Sequence, residues 1–149
     1  VANNFNSSEI KLFTGVAKTK VDELLAQCDR KTFRPGQHLF KEGDTSNFLV
    51  IVVNGNLKVE SNGYVLAHVV DQEVVGEMGV FTGQVRSADV VATAESQVII
   101  ISKKGLDVFL ESNPKEARQI FTNVIKVLAQ HLKNNNFIIE LSQLEEQLE

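Results

Sequence analysis

Hydrophobic and polar positions fall into three regimes along the chain. From about 6 to 30, Val21, Leu24, Leu25 and Cys28 recur at i, i+3, i+4 and i+7, which is one helical face. Short helices are expected there, with Thr19 as an N-cap and Asp22 in a first turn. From about 33 to 110 the apolar runs are strand-sized and broken by turn residues. Pro35-Gly36 and Gly43-Asp44 bracket a short strand around His38-Leu39-Phe40. Asn54-Gly55 separates a strand over 48–53 from one over 56–61, and Asn62-Gly63 separates that from one over 64–70. Both Asn-Gly pairs signal hairpins, because a type I′ turn needs positive φ at both central residues. Two more strands are expected over 88–94 and 97–102. This succession predicts a mainly β core of barrel, sandwich or jelly-roll type, flanked by helices.

The third regime runs from about 113 to 149 and reads as one long helix. Asn113 suits an N-cap, Pro114 the first helical position, and Glu116 the third, as a capping box requires. No Pro or Gly follows. At ~1.5 Å per residue the helix extends about 50 Å, more than a small β domain covers. Phe137, Leu141, Leu144 and Leu148 keep a 4-3-4 spacing suited to a partner helix. A homodimer through this helix is therefore expected, with packing on a further domain or fraying of this end as the alternative.

Bulk numbers narrow the function classes. With 149 residues, 1–149 is expected to be a single domain. The net charge of −4 argues against a nucleic-acid-binding surface in this chain. One cysteine, Cys28, excludes an intramolecular disulfide and a cysteine-based metal cluster; its place on the apolar helical face reads as core. The single thiol fits a reducing cytosol, so a cytoplasmic protein is expected; no run approaches the ~18 apolar residues of a membrane span. No signal peptide is in view, and the chain opens on Val1 without a Met, so a trimmed start is expected. His38, His68 and His131 are scattered without metal-ligand spacing, and no nucleophile motif is present; neither a metal site nor an enzyme is expected. Lys103-Lys104 reads as a solvated turn pair.

The chemistry concentrates in Gly76-Glu77-Met78-Gly79 and Arg86-Ser87-Ala88. Glu77 and Arg86 stand nine positions apart in an otherwise apolar, strand-like run. A guanidinium is always charged, and its planar fork matches phosphate or carboxylate. Two readings stand. Glu77 is the anion that satisfies Arg86 in a structural ion pair, or Glu77 accepts from ligand hydroxyls while a ligand phosphate takes Arg86. Gly76 and Gly79 favour the second, because they allow close backbone approach and a tight turn or helix start, whose N–H groups suit an anion. Ser87 adds a hydroxyl beside the guanidinium.

This segment resembles the phosphate-binding cassette of cyclic nucleotide-binding domains, in the catabolite activator-like superfamily. The Gly-Glu pair, the spacing and the Arg-Ser-Ala triplet carry the likeness together. The runs from Phe33 to Asp44 and from 48 to Gly55 are similar to the family's early strands. The resemblance implies an eight-stranded, jelly-roll-like β-roll (a double-stranded β-helix), with N-terminal helices before it and a long helix after it. It further implies that Gly76, Glu77, Met78, Gly79, Arg86, Ser87 and Ala88 hold the ribose-phosphate of a cyclic nucleotide, cAMP before cGMP, with no cofactor. Val85 departs from the Pro or polar residue that many members carry there.

A stripe of Ile120, Val124, Val127, His131, Asn134, Ile138 and Leu141 runs along the long helix. Either its polar members face solvent or set register between paired helices, or the stripe lies over the pocket and His131 or Asn134 meets the purine. In the catabolite-activator branch this helix supplies hydroxyl side chains to the base. His131 and Leu132 stand at the equivalent spacing, so the base contact and the choice of nucleotide stay open. A DNA-reading module would follow the helix in that branch, so the chain reads as a sensor half or a stand-alone binding protein. Rival readings are the same fold sensing another small molecule, a metal-dependent cupin-like enzyme, and a purely structural dimerisation module.

Overall fold

A computed structural model describes residues 5–148, excluding the side chains of 131, 135–142, 144 and 145. Two 3-10 turns, Ser7–Glu9 and Lys11–Phe13, precede helix α1 (Lys18–Ala26). Eight strands follow: β1 (Asp29–Phe33), β2 (His38–Phe40), β3 (Phe48–Asn54), β4 (Asn56–Ser61), β5 (Tyr64–Val70), β6 (Val74–Val75), β7 (Asp89–Ala92) and β8 (Ser96–Ser102). Helix α2 (Glu77–Thr82) lies between β6 and β7; α3 (Lys103–Ser112) and α4 (Pro114–Leu148) end the described chain. The strands form two four-stranded antiparallel sheets, ordered β1-β8-β3-β6 and β2-β7-β4-β5. This is the jelly-roll-like β-roll with flanking helices that the family resemblance implies.

The uninterrupted apolar run of β3 follows from this layering. Val50 and Val52 point between the sheets, onto Phe40, Leu57, Val90 and Val98. Leu49, Ile51 and Val53 point the other way, onto Phe13, Leu24, Phe109, Ile120 and Val124 of the helical layer. A strand buried on both faces needs no polar alternation. Each fully buried Val, Leu or Ile here contributes about 1.5–3 kcal/mol relative to exposure.

Several sequence expectations are corrected. Helix α1 starts at Lys18 after Ala17 and has no side-chain cap, so Thr19 sits inside the first turn. The first helical block stops at Ala26, because Asp29–Phe33 is an edge strand; its mostly exposed side chains leave no apolar alternation to read. Asn62-Gly63 does close a hairpin between β4 and β5, with both residues at positive φ. Asn54-Gly55 does not: it turns the chain from one sheet to the other, and β3 and β4 do not pair. A Cβ at Gly55 would lie 2.3 Å from Ser96 Oγ, so this corner also depends on the missing side chain. The strands end at Ser102, not near 110. Lys103-Lys104 opens α3, where the Ser102 hydroxyl accepts from the Gly105 N–H at 3.0 Å. Cys28 packs against the helical core and donates to the Leu24 carbonyl; burial, then Asp29, pushes its thiol pKa up, as suits an unreactive core thiol.

Helix α4 begins at Pro114, as expected, and the Asn113 carbonyl accepts its first bond from the Ala117 N–H. The Asn113 amide donates back to the Phe109 carbonyl and so ties α3 to the start of α4. The buried polar anchor of α4 is Asn123, a residue the sequence pattern did not single out. Its amide donates to the carbonyls of Leu12 at 2.9 Å and Thr14 at 2.8 Å, and its oxygen accepts from Gln119 at 3.0 Å. Asn123→Ala would leave two carbonyls without their donor. It is expected to cost about 2–3 kcal/mol in urea unfolding; a loss within error of zero would contradict the anchoring role.

Candidate functional site

The 76–88 segment is not a strand. After β6 it runs through a left-handed glycine, the short helix α2 and an irregular return to β7. Gly76 is the N-cap of α2 at φ +83°, a conformation that a side chain disfavours. Its carbonyl then faces the guanidinium that arrives from the end of the return. A Cβ at Gly76 would lie 2.6 Å from Arg86 Nη1. Gly79, inside α2, is equally closed: a Cβ there would lie 2.6 Å from the Ser46 Cβ. Both glycines therefore let α2 sit tight against its surroundings.

Arg86 is 4% exposed. Its Nη1 donates to the Gly76 carbonyl at 2.8 Å, and its Nη2 donates to the Phe48 carbonyl. The guanidinium carbon stands 3.9 Å from the Phe40 ring centre and 5.0 Å from that of Phe48. Those contacts are cation–π in geometry and fix the plane of the fork. The backbone of Arg86 is pinned as well: its N–H donates to the Asp44 carbonyl, and its carbonyl accepts from Gly43. Burial pulls the Arg86 pKa down, while Asp44 and Glu77 push it back up. A guanidinium does not deprotonate in proteins, so the charge persists.

Around this charge is a cavity of about 340 Å³. That is near the lower end of the ~300–1,000 Å³ typical of small-ligand sites. Gly76, Glu77, Met78, Gly79, Arg86, Ser87 and Ala88 all line it, so the fold brings together every residue expected to hold a ribose-phosphate. Val59, Val69, Val75 and Val90 give it an apolar wall. Ser46 also lines it and was not foreseen from sequence. Ser46 Oγ and Arg86 Nε are buried without a hydrogen-bond partner. Two orphaned polar atoms on residues of one small cavity mark it as a place for a polar ligand.

A second cavity of about 550 Å³ adjoins the first and shares Val74, Glu77 and Met78 with it. Its far wall is Val124 and Val127 of α4. The α4 stripe thus faces Glu77 and Met78 through its valines. Asn134 is exposed, accepts from Gln130 at 3.0 Å, and lines neither cavity. The His131 side chain lies outside the described residues, as do those of Ile138 and Leu141.

Residues 30–113 match the family model described as Cyclic nucleotide-binding domain. The chain belongs to the cyclic nucleotide-binding domain family. It is 25% identical over 140 residues to the Cyclic AMP receptor protein of Thermus thermophilus, covering 91% of this chain and 63% of that protein. It is 29% identical over 126 residues to Glutaminase 1 of Bradyrhizobium diazoefficiens, covering 84% of this chain and 20% of that protein. The chain therefore spans less than two thirds of either relative's length. Among solved structures, the N-terminal domain of a transcriptional regulator from Streptomyces coelicolor superposes with a TM-score of 0.75 at 26% identity, over 83% of this chain and 91% of that one. Membership agrees with the architecture: the Gly76–Arg86 region lies between two late strands of a β-roll, with a long helix beyond. Among the described residues, no helix is long and apolar enough to cross a membrane.

Proposed function

We propose that the chain is a cAMP-binding regulatory domain whose long helix transmits the bound state. The observation that carries this is Arg86: a buried guanidinium whose Nε has no partner, at the edge of a small cavity that Ser87 also lines. In this reading the cyclic phosphate takes Arg86 and Ser87. The ribose hydroxyl donates to Glu77, whose ionised carboxylate only accepts. The cavity volume suits a mononucleotide. The chemistry is binding without turnover, which fits a chain that supplies no nucleophile motif.

The purine extends past Met78 toward α4. Val124 and Val127 are the first α4 residues in that direction, and His131 and Asn134 follow on the next turns. Contact with Asn134 requires α4 to swing over the cavity. That movement is the proposed signal, since a ligand shifts an equilibrium only through differential affinity for its states. An effector read through α4 supplies the output, in a cytoplasmic setting and without nucleic-acid contact by this chain itself.

Phe121, Ile125, Leu128 and Leu132 form an exposed apolar stripe on α4 at 4-3-4 spacing. It supports a homodimer through α4. Of the residues first expected at that seam, Leu148 is exposed, while the side chains of Phe137, Leu141 and Leu144 lie outside the described residues. Sedimentation equilibrium is expected to give twice the chain mass at tens of micromolar, and Ile125→Glu to shift it to the monomer; a monomeric wild type would contradict the dimer. The ligand class is tested by thermal shift with cAMP, cGMP, AMP and buffer alone. A stabilising ligand raises the midpoint by mass action. Cyclic nucleotides are expected to raise it and AMP to leave it near the buffer value. No shift with either cyclic nucleotide would sink the reading.

A further inference from the structure

The sheet that lines the nucleotide cavity carries a different cluster on its other face. In β4 and β7, Val59 pairs with Val90, and both line the cavity. The neighbouring pair, Glu60 and Asp89, therefore points to the opposite face. In β2 the register slips between His38 and Phe40. Phe40 pairs with Val90 on the cavity side, whereas His38 pairs with Val91 and turns outward. Without that irregularity, strand alternation would put His38 and Phe40 on one face. Bulges of this kind re-aim a side chain at a particular place. The result is one imidazole and two carboxylates from three adjacent strands, with one ligand atom of each lying within 4.8 Å of the others.

We propose that His38, Glu60 and Asp89 bind a divalent transition-metal cation of the zinc type. Zinc accepts this mixed nitrogen and oxygen set, and three protein ligands leave a fourth position for water. With metal–ligand bonds of ~2.05 Å, two ligand atoms of a tetrahedral site stand about 3.3 Å apart. His38 Nε2 and Asp89 Oδ2 stand 3.5 Å apart, close to that edge and longer than a charge-assisted hydrogen bond. The other Asp89 oxygen accepts from the Glu42 N–H at 2.7 Å. That bond fixes the carboxylate with Oδ2 directed to His38, the role outer partners play at metal sites. Glu60 is held by an ammonium, with Lys58 Nζ 3.0 Å from its Oε2. Lys58 is the competing cation, so metal entry displaces it. The three ligands are far apart in sequence, which is why residue spacing gave no metal signal. A cation here would tie β2, β4 and β7 together, one residue beyond Ala88 of the cavity wall.

The test is calorimetric titration of the metal-free chain with Zn²⁺, paired with Co²⁺ absorption to read coordination. One saturable ion per chain and a tetrahedral cobalt spectrum are expected. Both should disappear in His38→Gln, which alters an exposed residue, and persist in His68→Gln. Lys58→Met should tighten binding, on the order of tenfold, by removing a positive charge that repels the ion and competes for Glu60. Absence of saturable binding would overturn the proposal. Binding by His38→Gln equal to wild type would do the same, because it would place the ion elsewhere.

Discussion

Replacing Arg86 with leucine is expected to weaken cyclic nucleotide binding by about 2–5 kcal/mol, the range for removing one partner of a buried charge pair. That corresponds to roughly 30- to 5,000-fold in the dissociation constant. The same change removes the donors to the Gly76 and Phe48 carbonyls and the cation held by Phe40. Some stability must therefore go with it, by about 1–3 kcal/mol for each carbonyl left buried and unpaired. Urea unfolding of the ligand-free variant separates the two effects. Arg86→Lys keeps the charge and loses the planar fork, so it should recover only part of the affinity. Calorimetry that found wild-type affinity in folded Arg86→Leu would remove the phosphate role.

Gly76→Ala is the second large effect. Two costs arise from one methyl group. The backbone stands at φ +83°, where a non-glycine residue costs about 1–3 kcal/mol. The new Cβ would also meet Arg86 Nη1 at 2.6 Å and the Phe40 ring at 3.3 Å. The guanidinium must move off the Gly76 carbonyl, so affinity should fall along with stability. In an Arg86→Leu background the clash with the guanidinium is gone and only the backbone cost and the Phe40 contact remain. The stability penalty of Gly76→Ala should then be smaller than in wild type, a coupling that a double-mutant cycle measures. Strict additivity would show that the glycine is needed for its φ alone.

The residues proposed to hold a ribose-phosphate stood out in the sequence because they are local. Gly76, Glu77, Arg86 and Ser87 lie within one short segment, and a charged fork among apolar residues must be satisfied however the chain folds, here by the Gly76 and Phe48 carbonyls and the Phe40 ring. The hairpin at Asn62-Gly63 was legible for the same reason, since its turn chemistry is complete in two residues. Asn54-Gly55 carries the same dipeptide and misled, because whether a turn joins paired strands or crosses between sheets is decided by distant neighbours. β1 was hidden by its charged, exposed edge, and β6 by its length. α3 had a signal that was passed over: Ser102 as a cap, then Leu106, Phe109 and Leu110 at helical spacing. Ser46 and Asn123 had none. Each is polar, each is buried, and each acquires its role only when α2, or the 3-10 turn at Lys11–Phe13, folds onto it. The proposed purine end of the site depends in the same way on where α4 lies over the roll.

Arg86 and its cavity are proposed to hold a cyclic phosphate. Calorimetric titration of the wild-type chain with cAMP, repeated in the presence of excess AMP, tests this most directly. Saturable binding of one cAMP per chain, which AMP does not displace, is expected. No saturable heat, or displacement by AMP as effective as by cAMP itself, would contradict it.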